Sequence, residues 1–153
     1  MATRSESSSH SALSHADGLA ASTSDILLLL GRLLLAWVFL RSGYGKIFDI
    51  AAVANSYPPR GLPPFLAYIA TPFEFFGAIA LIFGFATRYV VIGFVVFMLV
   101  ATFSSHRYWD YPAAQQVVQA ANFYKNLAML GGFLFLFVIG PGRLSIDGWL
   151  RRR

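Results

Sequence analysis

Read as a pattern of apolar and polar positions, the chain divides into four long apolar runs joined by short connections. The runs cover about residues 26–48, 65–85, 89–105 and 123–140. Each comes close to the roughly 20 apolar residues that a helix needs to cross a bilayer. The pattern therefore predicts an all-α integral membrane four-helix bundle with both termini on the same side. The connection NSYPPRGLPP, residues 55–64, carries four prolines, which cannot continue a helix and favour extended or turn backbone. Ala86-Thr87-Arg88 is so short that the second and third spans must be antiparallel neighbours. After the third span, HRYWDYP sets Tyr108, Trp109 and Tyr111 as an interfacial belt, and the polar stretch up to residue 122 suits a short surface helix.

The ends of the chain differ from its middle. Residues 1–24 are rich in Ser and Ala, carry both signs of charge and show no apolar period, which predicts a mobile tail. A signal peptide is the competing reading. The first apolar run, however, begins only at Ile26, is longer than a typical signal core and ends in Gly-Tyr-Gly-Lys instead of a cleavage site. The first helix is expected to stay, with Ser24 or Asp25 as its N-cap. Residues 25–150 form the four-helix domain. Gly140-Pro141-Gly142 stops the last span, and within residues 141–153 RLSIDGWLRRR is amphiphilic enough to rest at the surface, with Trp149 and the arginines at headgroup level.

Composition agrees with this division. Of 153 residues, 57% are hydrophobic and 12% charged, against roughly 25% charged in soluble domains, and the mean hydropathy is +0.60. Four crossings use up the length and leave no soluble module. The net charge of +5 is not a nucleic-acid signature, because no basic patch is interleaved with exposed aromatics. It follows membrane topology instead. Arg4, Arg88, Arg143 and Arg151, Arg152 and Arg153 lie on the side of the termini and only Lys46, Arg60 and Arg107 on the other, which predicts cytoplasmic termini. With no cysteine, disulfides, iron–sulfur clusters and thiolate zinc sites are excluded. His10 and His15 fall in the tail, so only His106 is placed to act as a ligand. No metal site is expected, and redox chemistry would need an organic carrier or a partner.

The polar residues inside the spans are the candidate chemistry. At about 100° per residue, Gly43 and Lys46 return to within roughly 20° and 40° of Arg32, whereas Arg41 points about 180° away. Arg32, Gly43 and Lys46 thus share one stripe. Arg41 is read as structural, reaching the outer headgroups. Glu74 sits mid-span, with Gly77 and Ala78 allowing close helix approach, and at that depth a carboxylate must be paired or protonated. With alternating directions, Lys46, His106, Lys125 and Asn126 fall toward the non-cytoplasmic end, Glu74 below them and Arg32 deeper. Plainer readings stand beside these. Lys46 and Lys125 can snorkel, His106 can be interfacial, and Arg32 with Glu74 can be a structural pair joining the first two spans. Ala128, Gly131 and Gly132 read as helix packing.

The ordered set of GYGK, PFEFFGAIALIFGFATR, SSHRYW, YKNLAMLGG and GPGRLSIDG, covering about residues 25–150, resembles the DoxX family of small four-span bacterial membrane proteins. The resemblance implies a bacterial inner-membrane location and carries recurring polar positions onto Arg32, Gly43, Lys46, Glu74, Arg88, His106, Lys125 and Asn126. Arg41 stands where the family often has a small residue or His, and no role transfers to it. Some members look like subunits of thiosulfate:quinone oxidoreductase or partners of other oxidoreductases. Two functions follow as expectations. One is a redox-linked subunit binding a quinone or a small sulfur oxyanion near the outer leaflet. In it Glu74 and His106 handle protons, and Arg32, Lys46, Lys125 and Asn126 hold the ligand. The other is a non-enzymatic scaffold or small-solute carrier with a structural polar network. Either has the lipid bilayer as its surroundings and admits a homo-oligomer or oxidoreductase partner proteins.

Overall fold

The computed structural model describes the backbone of residues 3–153 and the side chains of residues 14–153. Arg4 and His10 lie outside the described side chains. The described residues form α1 (Thr3–Ile47), α2 (Ile50–Asn55), α3 (Ala67–Phe83), α4 (Thr87–Ser105), α5 (Ala113–Ile139) and α6 (Ile146–Leu150). Single 3-10 turns stand at Pro58–Arg60, Pro64–Leu66 and Tyr108–Asp110, and no strand occurs among the described residues. Four stretches, Ser14–Ile47, Pro64–Phe83, Thr87–Asp110 and Ala113–Ile139, are helical, long and apolar enough to cross a membrane. This is the all-α, four-span architecture that the apolar pattern predicts.

The boundaries depart from the expected ones for local reasons. Helix α1 runs without a break from Thr3, so the backbone of the segment read as a mobile tail is drawn into the first helix. Neither Ser24 nor Asp25 caps it. The Ser24 hydroxyl donates back to Ala21 O at 3.0 Å and Thr23 to Leu19 O at 2.7 Å, bonds that divert these side chains from capping. Asp25 Oδ1 instead accepts the Arg143 N–H at 2.7 Å. The polar stretch after Pro112 is not a separate surface helix. It forms the first turns of α5, because AAQQVVQAAN contains good helix formers and Pro112 sits at the N-cap position.

Asp25 and Arg143 also fix the geometry of one end of the bundle, here called the base, where the first span begins and the fourth stops. The α3–α4 turn lies there too. Gly84 closes α3 at φ 64°, a left-handed conformation that costs glycine little. Ala86 follows at φ 48°, which strains a residue with a Cβ. The C-terminal segment holds this turn in place. The Asp147 carboxylate accepts the N–H groups of Ala86 and Thr87, both at 2.8 Å, and its own N–H donates to Gly84 O at 3.0 Å. The tail read as a surface rest is thus folded against the base. Its aspartate does for α4 what a capping side chain does for its own helix.

Near mid-depth, aromatic rings join all four spans. Phe39 of α1 lies 4.5 Å from Phe94 of α4 and 5.7 Å from Phe133 of α5. Phe94 stacks on Phe133 at 5.3 Å and meets Phe73 of α3 at 5.0 Å. Lipid offers apolar side chains no hydrophobic penalty, so close packing of this kind supplies much of what holds membrane helices together. Toward the end opposite the base the bundle becomes two helix pairs. In one, α1 meets α3 so closely that a Cβ on Gly43 would lie 3.0 Å from Phe75 N. In the other, α4 and α5 are tied by Asn126 Nδ2 donating to Thr102 Oγ1 at 3.0 Å and by Phe103 edge-on to Phe123 at 5.7 Å. Beyond Phe97, no hydrogen bond or ring contact joins the two pairs among the described residues.

Candidate functional site

The parting of the two pairs leaves a cavity of about 840 Å³ that ends on the aromatic layer and is rimmed by the proline-rich connection. Its floor and walls include Phe39, Phe73, Phe97 and Met98. Gly93 permits the wall to close there, since a Cβ at that position would stand 2.4 Å from the Phe73 ring. Against this apolar surface one charged pair stands out. Lys46 Nζ donates to Glu74 Oε2 at 2.9 Å and Oε1 at 3.1 Å, and to Ser42 Oγ at 2.8 Å. Glu74 is only 3% exposed. A lysine so placed removes most of the cost of burying the carboxylate.

The sequence explains why these groups meet. Ser42 and Lys46 are four residues apart on α1 and lie on one face. Gly43 lets α3 approach until Glu74 is within reach of Lys46. On the opposite wall, His106 ends α4, and its Nδ1 bonds Gln119 Oε1 at 2.8 Å. With that oxygen accepting, Nδ1 carries a proton. Asn126 is buried on Thr102. Lys125 is exposed and donates to Asn122 Oδ1 at 3.0 Å. Tyr57 and Arg60 of the proline-rich connection complete the rim. Burial and the Glu74 charge push the Tyr57 phenol up, outweighing Arg60, so it stays a neutral hydroxyl.

Of the residues singled out from the sequence, Lys46, Glu74, His106, Lys125 and Asn126 line this one cavity. Arg32 does not. It is 1% exposed at the base, where Nη2 donates to Leu144 O at 2.5 Å, while Nε and Nη1 have no hydrogen-bond partner. A Cβ on Gly84 would fall on its guanidinium, so glycine there also makes room for the arginine. The possible Arg32–Glu74 pair is replaced by Lys46–Glu74, because the shared stripe of α1 is long enough to place its two cations at opposite ends of the bundle. Lys46 turns inward and does not simply snorkel. Arg41 is exposed, as its direction predicts. Gly132 packs near Leu35, with a Cβ 3.5 Å from its side chain, but Gly131 faces open space.

Sequence reasoning missed Ser42, Tyr57, Gln119 and Asp147. Only Ser42 carried a usable signal, its spacing from Lys46. Gln119 lay in the stretch read as a surface helix, and Asp147 in the tail read as an anchor.

Among the described residues no group of three or more His, Asp or Glu is placed to hold a metal ion. Residues 27–107 match the DoxX family. The Escherichia coli (strain K12) protein described as inner membrane protein YqjF is 33% identical over 129 residues, covering 84% of this chain and 95% of that protein. Inner membrane protein YphA of the same organism is 32% identical over 124 residues, 80% of this chain and 89% of that protein. No solved structure matches. The family match takes in the first three spans with Lys46, Glu74 and His106, and the two relatives extend over most of the chain, so the chain belongs to the DoxX family.

Proposed function

We propose that this chain is an inner-membrane protein whose cavity takes the head of a bilayer-soluble quinone, as the membrane subunit of a redox system. The single observation that carries the reading is the Lys46–Glu74 pair, 2.9 Å apart, set into a cavity otherwise walled largely by aromatic and aliphatic side chains. Glu74 already neutralises Lys46, and Arg60 and Lys125 are exposed side chains of the rim, so the deeper, apolar part of the site favours a flat, uncharged head with carbonyl acceptors over a doubly charged sulfur oxyanion. Phe73 and Phe97 offer ring faces for such a head. Beyond Gly93 the parting of α3 and α4, at Ile69, Val96 and Val100, offers a chain-bearing molecule a way in from the bilayer. That both relatives are described as inner membrane proteins supports the location.

A bound quinone supplies an acceptor for two electrons and two protons, with the electrons coming from a partner oxidoreductase. The chain's own part is to bind, orient and manage protons. Lys46 Nζ, Tyr57 OH and Lys125 Nζ are donors placed to hold carbonyl oxygens. Glu74 is the buried group able to exchange a proton, and Lys46 sets the cost of doing so. Ser42 keeps Lys46 turned toward the cavity.

The test is equilibrium binding of a decyl-chain quinone to the full-length protein in lipid nanodiscs. Wild type should bind it saturably. Glu74→Gln and Lys46→Met should each weaken binding about tenfold, the loss of one charge-assisted contact of roughly 1.4 kcal/mol. Unchanged binding in both variants, or no saturable binding by a folded wild type, would return the cavity to a scaffold or solute-carrier role.

A further inference from the structure

The base carries a second concavity, about 310 Å³, which the proposed ligand site does not use. Its walls are Ile139 and Pro141 at the end of the fourth span, the backbone of Gly142 and Gly148, and Arg143, Arg151 and Arg152. Arg152 is held in place, with Nη2 donating to Arg143 O at 2.6 Å and Nε to Gly148 O at 3.0 Å. The Arg143 and Arg151 guanidinium groups have no hydrogen-bond or ion-pair partner among the described residues. The segment's one aspartate, Asp147, is committed to the N–H groups at the start of α4, although the Arg151 charge reaches it. Asp25 Oδ1 accepts the Arg143 N–H beside the wall glycine Gly142, so three arginines face two acids that are already bonded to backbone.

The surroundings match a membrane interface. Ile139 in the wall is 61% exposed, and Leu144 and Leu150, each next in sequence to a wall arginine, are 49% and 51% exposed. Beside it Trp149 is half exposed, with the Arg153 guanidinium 3.8 Å over its ring. Exposed aliphatic side chains next to guanidinium groups that hold no hydrogen-bond partner suit an occupant that is anionic at its head and apolar below. From these features we infer that the C-terminal turn is a binding site for the headgroup phosphate of an anionic phospholipid, with Arg143 and Arg151 as the clamp and Arg152 as its fixed wall. The site is independent of the quinone reading.

The experiment uses full-length protein in micelles doped with equal amounts of phosphatidylglycerol and phosphatidylcholine, with retained lipid counted by native mass spectrometry. Wild type should retain phosphatidylglycerol preferentially. Arg143→Gln with Arg151→Gln should lower that preference about thirtyfold, taking roughly 1 kcal/mol for each arginine near an anionic surface. Arg143→Lys with Arg151→Lys, which keeps the charge, should stay within about threefold of wild type. The inference is overturned if wild type retains both lipids equally or if the Gln pair keeps the wild-type preference. Displacement of phosphatidylglycerol by millimolar inorganic phosphate would identify a free-phosphate site and also overturn it.

Discussion

At Lys46 and Glu74 the two ends of one ion pair carry unequal risk. The lysine side chain keeps 39% of its surface exposed and the glutamate 5%. Removing Glu74 leaves a cation that can swing toward the rim, while removing Lys46 leaves a nearly buried carboxylate without its counter-ion. Lys46→Met should therefore destabilise the protein by about 3 kcal/mol, near the low end for breaking a buried pair because one partner is partly solvated. Glu74→Gln should cost about 1 kcal/mol, and the double variant should recover most of the Lys46→Met loss. Thermal unfolding in detergent measures all three. Equal shifts for the two single variants would mean that both charges are solvated and that the pair is incidental. At this scale the stripe of Arg32, Gly43 and Lys46 was legible, because helical geometry converts spacing into direction. The partner of each cation was not, because it depends on where α3 crosses α1. Gly43 decides that by letting α3 close in, and a glycine in sequence does not announce which backbone will approach it.

Among the elements, the four spans could be read from apolar length alone, whereas the start of α5 and the role of the tail could not. The first failed because a polar amphiphilic stretch suits both a surface helix and the first turns of a span, and only continuity with the apolar part decides. The second failed because capping is normally sought within the same few residues, and Asp147 caps α4 from 60 residues away. That contact has a pH signature. Burial pushes the Asp147 carboxyl up, but the Thr87 and Ala86 N–H groups and the Arg151 charge outweigh it and hold the carboxyl below its ordinary range. A carboxylate whose folded-state pKa is depressed contributes stability above its unfolded value, about 3.9, and loses it as pH falls through the folded value. Wild type should thus lose this contribution only below about pH 4. Asp147→Asn lacks the charge at every pH, and should be less stable by about 1 kcal/mol at pH 7 and converge with wild type under acid. Parallel unfolding curves from pH 7 to pH 3 that never converge would show that Asp147 acts through packing and not through its charge.

For the whole molecule, closure at the base and parting toward the rim are two consequences of one distribution of residues. Bulky aromatics at mid-depth and the tail contacts at the base hold the four spans together, while toward the rim Gly43 closes one helix pair, Asn126 and Thr102 tie the other, and polar groups face between the pairs. The orientation of this asymmetric object decides which compartment the cavity faces. Lys46, Arg60, Arg107 and Lys125 lie toward the rim, of which Arg60 and Arg107 are in the connections, whereas Arg88, Arg143, Arg151, Arg152 and Arg153 lie at the base end. Cations concentrate on the cytoplasmic side of short loops, so the base should be cytoplasmic and the rim periplasmic. The absence of native cysteine gives a clean background for checking this. In intact cells, a membrane-impermeant maleimide should label Arg60→Cys and leave Arg143→Cys unlabelled, and permeabilised cells should label both. The reverse pattern would put the rim in the cytoplasm, and any ligand or proton reaching Glu74 through the rim would then have to come from that side.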